Sequence, residues 1–256
     1  MLRRILVPME PTPAGEARLE LAILLAGRQG AALTLLQLLG CPHPAAHDCE
    51  GLLAAEAEAR RLRDRIESAG IRVDWRCLTS TADVGRIEAK LADLTILGRL
   101  DFQAPPDIPP ESVVLASGRP ILVLPGDGPF GEIGRNVVIA WDGSREASRA
   151  VRDALPLMRA ARAVTVVSVT DPGGGLDHPP AVPIDYLHDQ GIHALFETIV
   201  DPDRRIVERL LARCTDLDAD LLVMGAYGHS RLREFVLGGT TRGMLRDTTV
   251  PLFMSH

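Results

Sequence analysis

Asn136-Val137-Val138-Ile139-Ala140-Trp141-Asp142 has a counterpart near the start of the chain in Arg4-Ile5-Leu6-Val7-Pro8-Met9-Glu10. Each is a short apolar run that ends on an acidic residue. Each is followed by a helical pattern, over residues 16–29 in one case and 144–161 in the other, where Ala147, Val151, Leu155 and Met158 fall on one face. The repeat continues: residues 33–38 answer to 164–169, residues 93–98 to 220–225, and residues 119–124 to 249–254. Such apolar runs read as strands buried in a parallel sheet. Corresponding elements lie about 125–135 residues apart, the span of one small α/β domain.

Strands that alternate with helices predict right-handed crossovers and a doubly wound parallel sheet in each half. The expected division is a first domain over residues 1–125, a linker over 126–135 that continues the turn-rich run Pro125-Gly126-Asp127-Gly128-Pro129-Phe130-Gly131, and a second domain over 136–256. Further helices are predicted over residues 49–69 and 203–216. The second-half counterpart of the first of these is broken up by Asp171-Pro172-Gly173-Gly174-Gly175 and Pro179-Pro180.

The chain has 256 residues, a formal charge of −6, 46% apolar and 24% charged residues, which is ordinary globular usage. Mild acidity argues against a dedicated nucleic-acid binder, and 4% aromatic residues argue against a base-stacking platform. Four cysteines are too few for a disulfide scaffold of this length. No apolar signal-peptide region precedes Ile5, and no run approaches 18 apolar residues, so the expectation is a reduced, cytoplasmic protein without a membrane span.

The stretch richest in chemistry is Met224-Gly225-Ala226-Tyr227-Gly228-His229-Ser230-Arg231-Leu232-Arg233-Glu234-Phe235-Val236-Leu237-Gly238-Gly239-Thr240-Thr241. Glycines three apart leave a buried strand, and after nine residues a Gly-Gly pair opens a helix. Glycine permits positive φ and removes the Cβ that would collide with an anion, which frees backbone N–H groups to face phosphate. A helix that starts at Gly239 or Thr240 adds unpaired N–H donors and the positive end of its dipole. His229, Arg231, Arg233 and Arg242 supply charge. The alternative is a tight strand exit followed by an ordinary helix start. Asp142 ends the first strand of the same half, where doubly wound sheets bind ligands at the point of reversed winding. Its alternative is a turn with Ser144 as helix cap.

In these residues the chain resembles a tandem universal stress protein of the UspA-like type: two halves of alternating strands and helices, with Gly225-x-x-Gly228, nine residues and Gly238 in the second. The resemblance covers nearly the whole chain, and in the first half the order of elements carries it. It implies an ATP site, with Mg²⁺ only in company with the nucleotide. Asp142 and Val169 would sit near the adenosine, and Gly225, Gly228 and Gly238 would line the ribose and phosphates. It also implies an internal pseudo-dimer in which residues 121–124 and 250–254 meet, and leaves a further homodimer open. Gly239 stands where that family has Ser or Thr, and the hydroxyls come one residue later at Thr240 and Thr241. Where Thr240 does not replace it, a missing hydroxyl contact costs about 0.5–1.5 kcal/mol, a few-fold to tenfold in affinity.

The equivalent loop of the first half keeps Gly98 but has Asp101 in place of the second glycine, then four prolines and two more carboxylates by Ser112. Prolines lack the N–H donor and carboxylates repel phosphate, so this half reads as a degenerate copy serving packing or partner recognition. Glu10 stands where Asp142 does. Cys41-Pro42-His43-Pro44-Ala45-Ala46-His47-Asp48-Cys49 has zinc-type ligands at an unusual spacing and reads first as a loop. His178, His188 and His193 have no nucleophile spacing, and no Walker sequence is present. Arg60, Arg61, Arg63 and Arg65 read as a solvated helix face with i,i+4 pairs. Cys77 on a strand and Cys214 on a helix read as small buried apolar groups.

The leading functional expectation is a stress-response protein that binds an adenine nucleotide in its second half and answers by a changed contact with a protein partner. The rival is an interaction module that has lost the nucleotide. An ATP hydrolase or phosphotransferase ranks third, since no general base or metal-binding carboxylate pair stands out beyond Asp142.

Overall fold

The computed structural model describes residues 1–10, 12–38, 49–78, 87–99, 108–126, 128–170, 172, 182–203, 205–228 and 239–256. In the first half the elements are β1 (Arg4–Met9), α1 (Pro13–Gln29), β2 (Ala32–Leu38), α2 (Cys49–Ser68), β3 (Val73–Leu78), β4 (Leu94–Gly98), α3 (Pro110–Ser117) and β5 (Ile121–Leu124). In the second half they are β6 (Asn136–Ala140), α4 (Arg145–Met158), β7 (Ala163–Thr170), α5 (Ile184–Asp189), β8 (Ala194–Val200), α6 (Ile206–Asp216), β9 (Leu221–Gly225), α7 (Gly239–Asp247) and β10 (Leu252–Ser255). The expected strands are all present, and α5 is the short counterpart of α2.

The two halves share one ten-stranded sheet of order β3-β2-β1-β4-β5-β10-β9-β6-β7-β8. Every pairing is parallel except that of β5 with β10, where Leu252, Phe253 and Met254 face Val123, Leu122 and Ile121. The expected contact between the last strands is thus a continuous antiparallel seam. Two core layers flank the sheet. One, under α1, α2, α4 and α5, holds Ile5, Val7, Leu25, Val151, Leu187 and Phe253; the other, under α3, α6 and α7, holds Leu6, Val114, Leu210, Met244 and Met254. Gln29 Nε2 donates to Pro156 O at 2.9 Å and Arg28 Nη1 to Ile133 O at 3.1 Å, so α1 is also tied to the second half.

The repeated residues turn out to be repeated devices. Asp93 Oδ2 accepts from the N–H of Arg3 and Arg4 at 2.8 and 3.0 Å, and Asp220 accepts from Gly134, Arg135 and Asn136. Each carboxylate ties the start of one strand to the start of its neighbour. Thr12 caps α1 by accepting from Gly15 N at 3.0 Å, and Ser144 caps α4 by accepting from Ala147 N at 3.1 Å.

Arg65 on α2 pairs with Glu20 of α1, which corrects the expected i,i+4 pattern at that residue: the charged face of α2 reaches its neighbouring helix. Cys214 is buried on α6, and burial pushes its thiol up to about 12, in keeping with a small apolar core group. Among the described residues no group of His, Cys, Asp or Glu is placed to hold a metal ion, and no helix is long and apolar enough to cross a membrane. Residues 41–48 of the Cys/His cluster lie outside the described residues, as does His178, while His188 and His193 meet ring to ring at 5.5 Å.

Candidate functional site

β6, β7 and β9 end side by side, and α6 and α7 rise beside their carboxyl ends. The cleft between them holds about 180 Å³ and is lined by Asp142, Val169, Gly225, Gly228, Thr240 and Thr241, together with Trp141, Ile206, Leu210, Met224 and Tyr227. Of the ten candidate residues, six line this cleft. Gly239 opens α7 next to Thr240, and His229, Arg231 and Gly238 lie outside the described residues. Between neighbouring β6 and β9 the winding direction reverses, the usual ligand position in such sheets.

Asp142, Gly143 and Ser144 form a turn. Asp142 Oδ1 accepts from Ser144 N at 2.9 Å, and Gly143 has φ of 74°, a left-handed conformation that favours glycine. The turn and cap that sequence reasoning offered as an alternative role for this segment are therefore present, and Asp142 borders the cleft as well.

The glycines after β9 act differently from expectation. Neither Gly225 nor Gly228 has positive φ; the left-handed residue is Tyr227, with φ of 55°. A Cβ on Gly225 would come within 2.5 Å of Ala147 N and 2.7 Å of Glu146 C, so the missing side chain lets the first turn of α4 lie against the strand end. Gly228 faces Ser144 and Glu146 at 3.4 Å. The expected reason, close approach to phosphate, is replaced at Gly225 by helix-to-strand packing. Tyr227 N donates to Thr241 Oγ1 at 3.1 Å, which pins the loop to α7. Gly239 is exposed, and no described residue lies within 4 Å of its Cβ position. The first turn of α7 carries no acidic residue, which leaves the positive end of its dipole unopposed within that turn.

α6 forms one wall through Ile206 and Leu210, and its start is fixed by Asp201. This fully buried carboxylate accepts from Arg205 N at 2.7 Å and from Arg209 Nη2 at 3.2 Å. Burial pushes its carboxyl up, but the Arg205 amide and the Arg209 and Arg205 guanidinium groups outweigh it and hold the group below the usual carboxylate range. A depressed folded pKa contributes stability above the unfolded value, near 4, which is lost as pH falls through the folded value. Asp201→Asn is therefore expected to lower stability at neutral pH and to flatten its fall below about pH 4. Urea titrations between pH 2 and 7 check this, and an unchanged acid limb would refute it.

The first half is built otherwise. Over Gly98, the counterpart of Gly225, lies the buried guanidinium of Arg18: Nη1 is 2.6 Å from where a Cβ would stand. Arg18 Nη2 is 2.7 Å from Glu10 Oε2, out of hydrogen-bond alignment, so the pair is chiefly Coulombic. A roomier cavity of about 500 Å³, lined by Met9, Glu10, Gln37, Leu62 and Trp75, lies on the opposite sheet face from the second-half cleft. Of the loop whose acids and prolines were expected to repel phosphate, residues 100–107 lie outside the described residues, whereas Pro109, Pro110 and Glu111 form the start of α3. Sequence reasoning missed Arg18, Trp141 and Tyr227. A lone arginine in an amphipathic helix and an aromatic residue at a strand exit carry no periodic signal.

Fold and cleft together define a tandem doubly wound α/β protein with a ligand-type crevice in its second half. A universal stress protein from Archaeoglobus fulgidus DSM 4304 superimposes over 98% of this chain and 97% of its own, with a TM-score of 0.77 and 17% identity. A protein of unknown function from Pseudomonas aeruginosa PAO1 does so over 99% and 92%, with a TM-score of 0.65 and 18% identity. At these identities the likeness shows the fold. Universal stress protein Slr1230 of Synechocystis sp. is 58% identical over 33 residues, 13% of this chain and 12% of that relative's length. Residues 134–256 match the family model described as the Universal stress protein family. The second half thus belongs to the universal stress protein family, and the chain carries that family's fold in tandem.

Proposed function

We propose that the second half binds an adenine nucleotide, ATP in the first instance, and that the protein acts in stress response by changing a contact with a protein partner when the nucleotide is bound. The observation that carries this reading is the convergence of Asp142, Val169, Gly225, Gly228, Thr240 and Thr241 on one cleft at the winding reversal. Asp142 and Val169 would take the adenosine side. The N-terminus of α7, with Gly239, Thr240 and Thr241, would take the phosphates, joined by His229, Arg231 and Gly238. At about 180 Å³ the cleft is smaller than a pocket enclosing a whole drug-sized ligand, so it suits the base and ribose and leaves the triphosphate toward its mouth. Mg²⁺ would arrive with the phosphates. Titration calorimetry with ATP and Mg²⁺ tests the proposal: no heat and no thermal shift at millimolar nucleotide would overturn it.

The competing reading, an interaction module without nucleotide, draws on Gly239 and on the Thr241 hydroxyl, which is engaged by Tyr227 N. One substitution probes the phosphate end of the site. No described residue lies within 4 Å of the Gly239 Cβ position, so Gly239→Ser restores the family hydroxyl without a clash against them. ATP affinity is expected to rise by a few-fold to tenfold, for about 0.5–1.5 kcal/mol, with unchanged melting temperature in the absence of ligand. Equal affinities in the two proteins would mean that Thr240 already makes this contact or that no phosphate is held there.

A further inference from the structure

We propose that the free edge of β8 is a self-association surface on which a second copy of this chain pairs antiparallel, centred on Thr198. Among the described residues β8 pairs only with β7, so one row of its backbone N–H and C=O groups has no described strand beside it. Its sequence, Ala194-Leu195-Phe196-Glu197-Thr198-Ile199-Val200, is mostly apolar, yet Leu195 is 70% exposed, Phe196 40% and Val200 58%. Tyr186 of α5, which packs on β8, is a further exposed large side chain.

Soluble proteins usually blunt such an edge with charge. The opposite edge of this sheet is blunted: β3 carries Asp74 and Arg76, in ion pairs with each other, Arg4 and Glu88. On β8 the single charge, Glu197, is already engaged by Arg213 of α6 through two contacts of 2.7 and 2.8 Å. The edge therefore carries no unbalanced charge of its own to repel a strand.

Self-complementarity favours a second copy over an arbitrary strand. A two-fold axis perpendicular to the sheet keeps each face continuous, so opposed residues must share a face. Centring on Thr198 sets Thr198 against Thr198, and Phe196 against Val200 twice by symmetry, all on the face covered by α5. Aromatic with β-branched and Thr with Thr are favourable cross-strand pairs. Centring on Glu197 would instead oppose two carboxylates. On the other face the Thr198 register sets Glu197 beside Ile199, without a like-charge contact.

Sedimentation velocity on the full chain across micromolar concentrations, together with disulfide trapping, tests this pairing. The expected result is a concentration-dependent dimer whose dissociation constant rises about tenfold or more in Val200→Lys, since that change spoils both symmetric apolar pairs. Opposed Thr198 residues would have Cα atoms about 4.5–5.5 Å apart, within disulfide reach. Thr198→Cys should therefore give a reducible covalent dimer, absent from wild type and from Leu195→Cys. A chain that stays monomeric, a dimer indifferent to Val200→Lys, or equal trapping at positions 195 and 198 would each overturn the proposal. A wild-type melting temperature in Val200→Lys, whose site is mostly exposed, separates lost association from lost folding.

Discussion

Phe253→Ala is expected to lower the melting temperature by about 6–20 °C, the largest effect foreseen for a single core truncation in this chain. Phe253 is fully buried on β10, opposite Leu122 of β5 and beside Val223 of β9, at the seam where the halves become one sheet. Truncating a buried phenylalanine forfeits its transfer energy and leaves a cavity, together about 3–5 kcal/mol. At this chain length each kcal/mol shifts the midpoint by about 2–4 °C. The chain has two tryptophans, Trp75 in the first half and Trp141 in the second, so single-tryptophan variants report each half separately. Both reporters should fall together when Phe253 is intact, because the seam and the α1 ties join the two halves into one sheet. A shift under 2 °C would show that the seam contributes little.

Most of the sheet was legible in the sequence because each strand is a run of buried apolar residues closed by punctuation, and the punctuation recurs. Asp93 and Asp220 could be seen to correspond before either was known to tie two strand starts together. Cleft membership was legible for Asp142, Gly225 and Gly228, since strand ends in a doubly wound sheet converge on one edge, while Val169 came only with the family resemblance. What the glycines do there was not legible. The neighbour of Gly225 is the backbone of Glu146 and Ala147, distant in sequence, and a missing Cβ looks the same whether it admits a phosphate or a helix. Arg18 was illegible for a related reason: its partner Glu10 lies close in sequence, but its position over Gly98 depends on how α1 seats across two strands.

The two halves use the same parts to different ends. Thr12 and Ser144 cap equivalent helices, and Gly98 and Gly225 close equivalent strands. In the second half the helix backbone sits directly on the glycine. In the first, a buried guanidinium occupies that position and is balanced by Glu10, the residue that replaces Asp142. The acid whose counterpart borders the second-half cleft is thus engaged internally in the first. That gives the proposed difference in binding between the halves a second physical reason, beyond the proline-rich loop.

Gly225→Ala should therefore damage fold and site together. The added Cβ would meet Ala147 N at 2.5 Å and Glu146 C at 2.7 Å, both backbone atoms on either side of one peptide bond, so no rotamer change relieves the clash. The first turn of α4 must move off β9, and with it Ser144 and the Asp142 turn that share its cap. Overpacking of this kind costs about 1–3 kcal/mol, or about 2–12 °C in melting temperature. Because the displaced turn borders the cleft, ATP affinity is expected to fall at least tenfold, read by fluorescence of Trp141 in a Trp75→Phe background. Gly239→Ala is the control, since no described residue lies within 4 Å of that Cβ position and neither measure should change markedly. If Gly225→Ala melted like wild type, the close seating of α4 on β9 would be wrong. If it were destabilised but bound ATP unchanged, the nucleotide would have to sit elsewhere than in the cleft that Asp142 and Gly225 share.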